Sequence, residues 1–221
     1  TYMTYVCACI FKYLDKPIGG CQYSDITVFS FHPVKIITTA EGGLATTNQL
    51  ELADKMQMFR AHGVTRDPNL MTKQTEGGWY YQQLELGYNY RMNEIQAALG
   101  VIQMERLDTF VTNRQSLKQR YHELLKDLPL TLPIQSPESY SALHLYPIQL
   151  KLDQISKTHD QVFNELRQSG LGVNLHYLPV HLHPVFKKLG FKKGDFPVSE
   201  KHASSAFSIP VFYNLKDQEQ K

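Results

Sequence analysis

The chain has 221 residues, a formal net charge of +2, 42% hydrophobic and 20% charged residues. That is an ordinary composition for a folded chain of one large or two small domains, and the small charge excess argues against a nucleic-acid binder. Three cysteines, Cys7, Cys9 and Cys21, are too few and too oddly spaced for a disulfide framework or a zinc site, so they read as reduced thiols in a cytoplasmic protein. No stretch reaches the length of a membrane span.

The first dozen residues show no amphipathic pattern. Asp25 to Phe31 is rich in β-branched and aromatic residues and predicts a buried strand. Ile36 to Thr39 predicts a second short strand, Gly42-Gly43 a turn, and Leu44 to Thr47 a third strand. Asn48 and Glu51 suggest a capping box for a helix whose apolar side carries Leu52, Met56 and Phe59 and which stops at Gly63. Val64 to Gln83 is polar and aperiodic, hence a long loop of the kind that is usually functional or disordered. Asn93 and Gln96 form a second capping-box pattern, and Ile95, Leu99, Ile102, Leu107 and Phe110 supply an apolar stripe behind it. A further helical pattern passes through Leu117, Tyr121, Leu124 and Leu125.

Pro129, Pro133 and Pro137 mark a link into a smaller α+β domain, so the expected division is residues 1–128 and 129–221. The second domain reads as strand Leu143 to Leu150, helix Thr158 to Ser169 closed by Gly170, strand Val173 to Tyr177, helix Ser199 to Ala206 and strand Ser208 to Tyr213.

The stretch Ser30-Phe31-His32-Pro33-Val34-Lys35 delivers a hydroxyl and, five residues later, an amine on a turn stiffened by proline. Read alone, Lys35 fits a solvated lysine at a strand end. A lone lysine in that place is mostly solvent-exposed; the apolar flanks also allow a partly desolvated amine, which is the nucleophile a Schiff base requires, with Ser30 beside it to bind a phosphate. Gly87-Tyr88-Asn89-Tyr90-Arg91-Met92 precedes the second capped helix and could be no more than an Asn/Tyr-rich turn. His176, His181 and His183 could suggest a metal-dependent hydrolase, but no acidic ligand stands near them in sequence.

Taken together, Ser-Phe-His-Pro-Val-Lys-x-x-Thr-Thr-x-Glu-Gly-Gly (30–43), Gly-Tyr-Asn-Tyr-Arg-Met (87–92) and His-Tyr-x-Pro-x-His (176–181) resemble three segments of the DegT/StrS family of sugar-nucleotide aminotransferases. Phe196-Pro197 and Ser208-Ile209-Pro210 follow the family's later pattern, and the resemblance runs from about Lys12 to Gln218. The finer pattern, Cys21 to Asp25 through Lys35 with the long loop to Tyr90, is similar to the branch acting on UDP-linked 4-keto-6-deoxy-N-acetyl sugars in pseudaminic acid synthesis.

The resemblance implies a mixed α/β fold: part of an aspartate-aminotransferase-like, fold type I large domain followed by a small α+β domain. It implies pyridoxal 5'-phosphate held covalently by Lys35, with Ser30 on its phosphate. Asn89 would reach a neighbour's cofactor phosphate across a homodimer interface, and Asn174, His176 and Tyr177 would line the sugar-nucleotide site. The implied reaction moves an amino group, with glutamate as donor, to a nucleotide-linked keto sugar for cell-surface glycans. The family's chains are longer at the N-terminus, where an aspartate pairs with the cofactor's pyridinium nitrogen. The corresponding place here, Met3 to Phe11, carries no acidic residue. The expectation is a fragment whose own turnover is poor; the alternative is an inactive remnant that only binds a partner chain or a sugar nucleotide.

Overall fold

The computed structural model describes residues 3–6, 10–73 and 76–221. Cys7 and Cys9 lie outside the described residues. The chain divides into two compact units, residues 1–107 and 108–221.

The first unit opens with strands β1 (Met3–Val6) and β2 (Ile10–Tyr13), a region in which the sequence shows no pattern. β2 turns tightly into β3 (Lys16–Pro17) through Leu14 and Asp15, both with positive φ, as a two-residue hairpin turn requires. β4 (Ile26–Ser30) is the middle strand of a three-stranded sheet. It runs parallel to β1, with Met3 opposite Ile26. It runs antiparallel to β5 (Gly43–Thr46), with Ser30 opposite Gly43.

Helix α1 (Leu50–Arg60) follows, but Asn48 does not cap it. The Asn48 side-chain amide donates to Gly20 O at 2.6 Å, and Gln49 stands at the N-cap with no side-chain bond. The expected stop holds: Gly63, at φ +69°, donates its N–H to Met58 O at 2.9 Å and closes the last turn. The long loop is tied at its base by β6 (Val64–Thr65) and β7 (Gln82–Gln83), which pair antiparallel.

Helix α2 (Glu94–Glu105) starts on the expected capping box, in which Asn93 accepts from Gln96 N–H and the Gln96 side chain accepts from Asn93 N–H. Its buried side is not the expected one. Ile95, Leu99 and Ile102 of the expected stripe are exposed, whereas Gln96, Ala97, Gly100 and Gln103 are half-buried; beyond the helix, Leu107 and Phe110 of that stripe are half-buried as expected. A Cβ on Gly100 would stand 2.9 Å from the Thr39 methyl, so the missing side chain is what lets the helix approach.

Helix α3 (Leu107–Leu125) buries Val111, Arg114, Leu117 and Tyr121, a stripe at helical spacing. Leu117 and Tyr121 of this stripe pack into the core of the second unit. Compactness therefore divides the chain ahead of α3, whereas the prolines of the sequence suggest a border after it, at residue 128.

The second unit continues with β8 (Leu130–Thr131), β9 (Ser139–Ser141) and β10 (Tyr146–Leu150). β10 starts later than expected because Leu143 takes a left-handed φ of +55°. Helix α4 (His159–Gln168) carries a full capping box from Thr158 and Gln161. The 3-10 turn Val180–Leu182, the short α5 (Pro184–Lys187), α6 (Pro197–Ser205) and β11 (Ala206–Ile209) complete the unit. β10 is the central strand, flanked by β11 and β8.

Two strand expectations are corrected here. Val173 to Tyr177 makes one bridge, Asn174 to Ser208, rather than a strand. The last strand ends at Ile209 because Pro210 has no N–H to continue the ladder. Tyr146, Val173 and Phe207 are at most 1% exposed, and the core adds Leu117, Tyr121, Ile148, Leu150, Ile209, Val211 and Leu215.

Candidate functional site

β4 ends at Ser30, and the next residues fold back on it. Phe31 N–H donates to Gly42 O at 2.9 Å, and Phe31 O accepts both Thr39 N–H at 3.0 Å and the Thr38 hydroxyl at 2.9 Å. Within this loop Lys35 N–H donates to His32 O at 2.9 Å, which sets Lys35 on a closed turn. Ile36 to Thr39 is therefore not a strand. Its two isoleucines are buried and its threonines bind backbone, so the β-branched run serves burial and not pairing.

Lys35 and Ser30 are both half-buried. Among the described residues Ser30 Oγ takes part in one hydrogen bond, a long one of 3.5 Å from His32 N–H. Thr38 and Thr39 are supports that the motif alone did not single out. Thr38 Oγ1 donates to Phe31 O and accepts Ala40 N–H, both at 2.9 Å, while buried Thr39 donates to Glu41 O at 2.9 Å. The signal was present as the Thr-Thr pair after the lysine.

The turn also meets the second motif. A Cβ on Gly42 would fall 2.3 Å from Thr39 Oγ1 and 2.7 Å from the Met92 methyl, so the Gly-Gly of the first motif leaves room for the methionine of the second. Together with the Thr39–Gly100 approach, this joins the lysine turn, the segment before α2 and α2 itself into one assembly. Asn89 lies on that segment, exposed, and bridges Ala61. Its neighbours are held by Tyr88 N–H to Phe59 O at 2.7 Å and Tyr90 N–H to Arg60 O at 2.9 Å.

In the second unit, Ser208 on β11 organises the third motif. Asn174 exchanges backbone hydrogen bonds with Ser208 at 2.8 and 3.2 Å, and His176 Nδ1 lies 2.9 Å from Ser208 Oγ. Burial pushes the His176 pKa below its usual value. Asn174 is exposed, and Tyr177 is 66% exposed with its ring edge-on to His176. His181 takes a different partner: its Nε2 lies 2.8 Å from Glu200 Oε1, which also accepts Gly194 N–H at 2.7 Å. The His181 bond, then the Gly194 amide, hold the Glu200 carboxyl below its usual value. His176 and His181 thus serve separate structural pairs. Among the described residues no group of three or more His, Cys, Asp or Glu converges.

The donor set on the turn suits one cofactor class. A half-buried amine can condense with an aldehyde, and a hydroxyl with spare capacity five residues before it can bind a phosphate. Residues 7–221 match the DegT/DnrJ/EryC1/StrS aminotransferase family. The chain belongs to that family. It is 34% identical over 210 residues to the UDP-4-amino-4,6-dideoxy-N-acetyl-beta-L-altrosamine transaminase of Campylobacter jejuni, a match spanning 93% of this chain and 52% of the relative. A sugar aminotransferase of Streptococcus pneumoniae, Spr1654 in its PMP form, superimposes with a TM-score of 0.87 at 26% identity, over 99% of this chain and 55% of that one. Helicobacter pylori PseC, an aminotransferase of pseudaminic acid biosynthesis, does so with a TM-score of 0.84 at 28% identity, over 99% and 56%.

The fold is accordingly that of a pyridoxal-phosphate-dependent sugar aminotransferase, and the chain spans about half the length of the relatives it matches. The family match reaches back to residue 7, a little further than the resemblance that begins near Lys12. No helix among the described residues is long and apolar enough to cross a membrane.

Proposed function

We propose that this chain carries the lysine side of an active site that transfers an amino group from glutamate to a nucleotide-linked 4-keto-6-deoxy sugar, of the UDP-N-acetyl type, in cell-surface glycan or pseudaminic acid biosynthesis. The observation that carries the reading is the closed turn that sets Lys35 five residues after Ser30 and packs Gly42 against Met92. Lys35 would hold pyridoxal phosphate, Ser30 would bind its phosphate, and Asn89 would reach the phosphate of a neighbouring copy in a cytoplasmic homodimer. Residues 1–128 would belong to the large domain and 129–221 to the small one. When bound, the cofactor supplies the electron sink for cleaving the bond to hydrogen at the substrate carbon.

The protein's own work is positional and protonic. The turn around Phe31 O fixes the backbone from which Lys35 extends. Once displaced by the amino donor, the Lys35 Nζ amine would take the proton from the donor's α-carbon and return a proton to the sugar's C4. Asn174, His176 and Tyr177 would contact the nucleotide sugar, with Ser208 orienting the His176 ring through Nδ1.

Turnover by this chain alone is expected to be slow, because Met3 to Phe11 carries no acidic residue to pair with the pyridinium nitrogen. The test supplies the purified chain with pyridoxal phosphate, glutamate and a UDP-linked 4-keto sugar, and follows 2-oxoglutarate and amino sugar by mass spectrometry. Slow product that disappears in Lys35→Ala supports the reading. Product formed equally by Lys35→Ala would overturn it. Binding of a nucleotide sugar without the lysine-dependent cofactor band would favour a remnant that only binds.

A further inference from the structure

The second unit carries a stretch, residues 183–199, that neither its core nor the roles above use. Every residue in it is exposed except the half-buried Phe186. Its charge is one-sided. Lys187, Lys188, Lys192 and Lys193 stand against a single acid, Asp195, in a chain whose formal net charge is only +2. The rest of the chain is therefore close to neutral, and the positive charge is concentrated here. Asp195 is spent locally, accepting Lys192 N–H at 2.9 Å. Among the described residues none of the four lysines makes an ion pair, unlike Lys55 with Glu51 or Lys73 with Glu76. Beside the lysines stand Val185, Leu189 and Val198, which are 62%, 72% and 83% exposed.

The stretch is exposed but not loose. Phe186 and Lys187 N–H both donate to His183 O at 3.0 Å, and Gly190 N–H donates to Lys187 O at 3.0 Å, which closes α5 behind its lysines. The second lysine pair sits on another closed turn, in which Asp195 N–H donates to Lys192 O at 3.3 Å. Glu200 on α6 clamps both parts, because its Oε1 meets His181 Nε2 at 2.8 Å and Gly194 N–H at 2.7 Å. The Phe196 ring lies 4.8 Å from the His181 ring and 6.0 Å from that of Phe191. Phe191 and Phe196 thus pack on the clamp, whereas Val185, Leu189 and Val198 face solvent. The surface is built before any partner arrives, which lowers the ordering cost of binding.

We propose that residues 183–199 are a docking surface for an anionic lipid membrane, with the four lysines on the lipid phosphates and Val185, Leu189 and Val198 in the boundary between headgroups and acyl chains. Aliphatic tips interleaved with lysines leave no charge-depleted apolar centre of the kind a specific protein interface has. A lipid surface accepts the mixture, because lysine stems lie along apolar surface while their ammonium groups reach the phosphates. The contact is peripheral, since no helix among the described residues is long and apolar enough to cross a membrane. The proposal goes beyond amino transfer and does not rest on it.

The experiment is co-sedimentation of the 221-residue chain with vesicles of phosphatidylcholine alone and with vesicles of equal parts phosphatidylcholine and phosphatidylglycerol. Binding to the second kind only, weakened by added salt, is expected. One lysine near an anionic surface is worth about fivefold in partitioning, so Lys187→Gln, Lys188→Gln, Lys192→Gln and Lys193→Gln together should weaken binding about a hundredfold or more. Leu189→Gln with Val198→Gln should weaken it severalfold with the charge unchanged. These side chains are exposed, so the variants should fold as wild type does, which circular dichroism checks. Lys55→Gln, Lys73→Gln, Lys126→Gln and Lys151→Gln together remove the same charge from other exposed positions and should leave binding nearly intact. An equal loss from both sets of four would reduce the effect to net charge and overturn the proposal. So would the absence of binding to anionic vesicles, or lysine-dependent binding of poly-glutamate without vesicle binding, which would point to an acidic protein instead.

Discussion

The two units of this chain are built differently. Residues 108–221 bury a continuous core in which Tyr146, Val173 and Phe207 are almost fully enclosed. Among the described residues of the first unit, Ile36, Ile37 and three threonines are buried, while Ile95, Val101, Ile102 and Met104 on α2 stand largely in solvent. The chain spans about half of its relatives' length, and the second unit closes its core with its own residues. The first unit keeps the geometry of its lysine turn through backbone hydrogen bonds and glycine contacts rather than through a large apolar core. Local order at a site therefore need not imply a deep core beneath it.

The largest effects should come from breaking the second unit. Phe207→Ala opens a cavity in a fully buried position and should cost about 3–5 kcal/mol, read as a shift in the urea midpoint. Tyr146→Phe is the sharpening control: the Tyr146 hydroxyl is buried without a hydrogen-bond partner among the described residues, and burial raises its pKa, so removing it should leave stability unchanged or raised.

Arg114→Leu comes next. Arg114 Nη1 donates to Leu143 O and Val211 O, both at 2.8 Å, and burial lowers its pKa to about 10, still charged at neutral pH. Leucine would leave both buried carbonyls unpaired, at a cost of about 3 kcal/mol by the same urea measurement.

A smaller effect is expected from pH. His176 is held neutral by burial, so its folded pKa lies below the unfolded value of 6.5. The unfolded chain then binds the proton first as pH falls, and the second unit should lose stability progressively below about pH 6.5. Urea midpoints at pH 7.5 and about 5 should differ less in His176→Gln than in wild type; an identical difference would show that His176 does not contribute.

The smallest effect should follow Ile95→Ala. At 85% exposed, Ile95 should change stability by less than about 0.5 kcal/mol, although light scattering should show reduced self-association. A loss as large as that of Phe207→Ala would mean that the α2 face is packed in solution and that the contrast between the units is wrong.

What the sequence revealed followed the range of the interactions responsible. The capping box of Asn93–Gln96 is local and forms where the spacing placed it, whereas that of Thr158–Gln161 was found only in the structure. The lysine turn was legible because its pattern is contiguous from Ser30 to Gly43. Asn48 failed as a cap because Gly20, distant in sequence, claims its amide. α2 turns Gly100 toward Thr39, at an approach a Cβ would close to 2.9 Å, whereas periodicity favoured the bulkier Ile95, Leu99 and Ile102. Ile36 to Thr39 and Val173 to Tyr177 have strand-like composition, but β-branched residues also fill cores, and pairing depends on a partner the sequence does not show.

The central claim is that the turn of the first unit presents Lys35 to pyridoxal phosphate. Its most direct test is borohydride reduction of the chain with the cofactor, followed by peptide mapping. The account expects one reduced pyridoxyl group on the peptide containing Lys35, absent from Lys35→Ala. Label spread over several surface lysines, unchanged by Lys35→Ala, would contradict it.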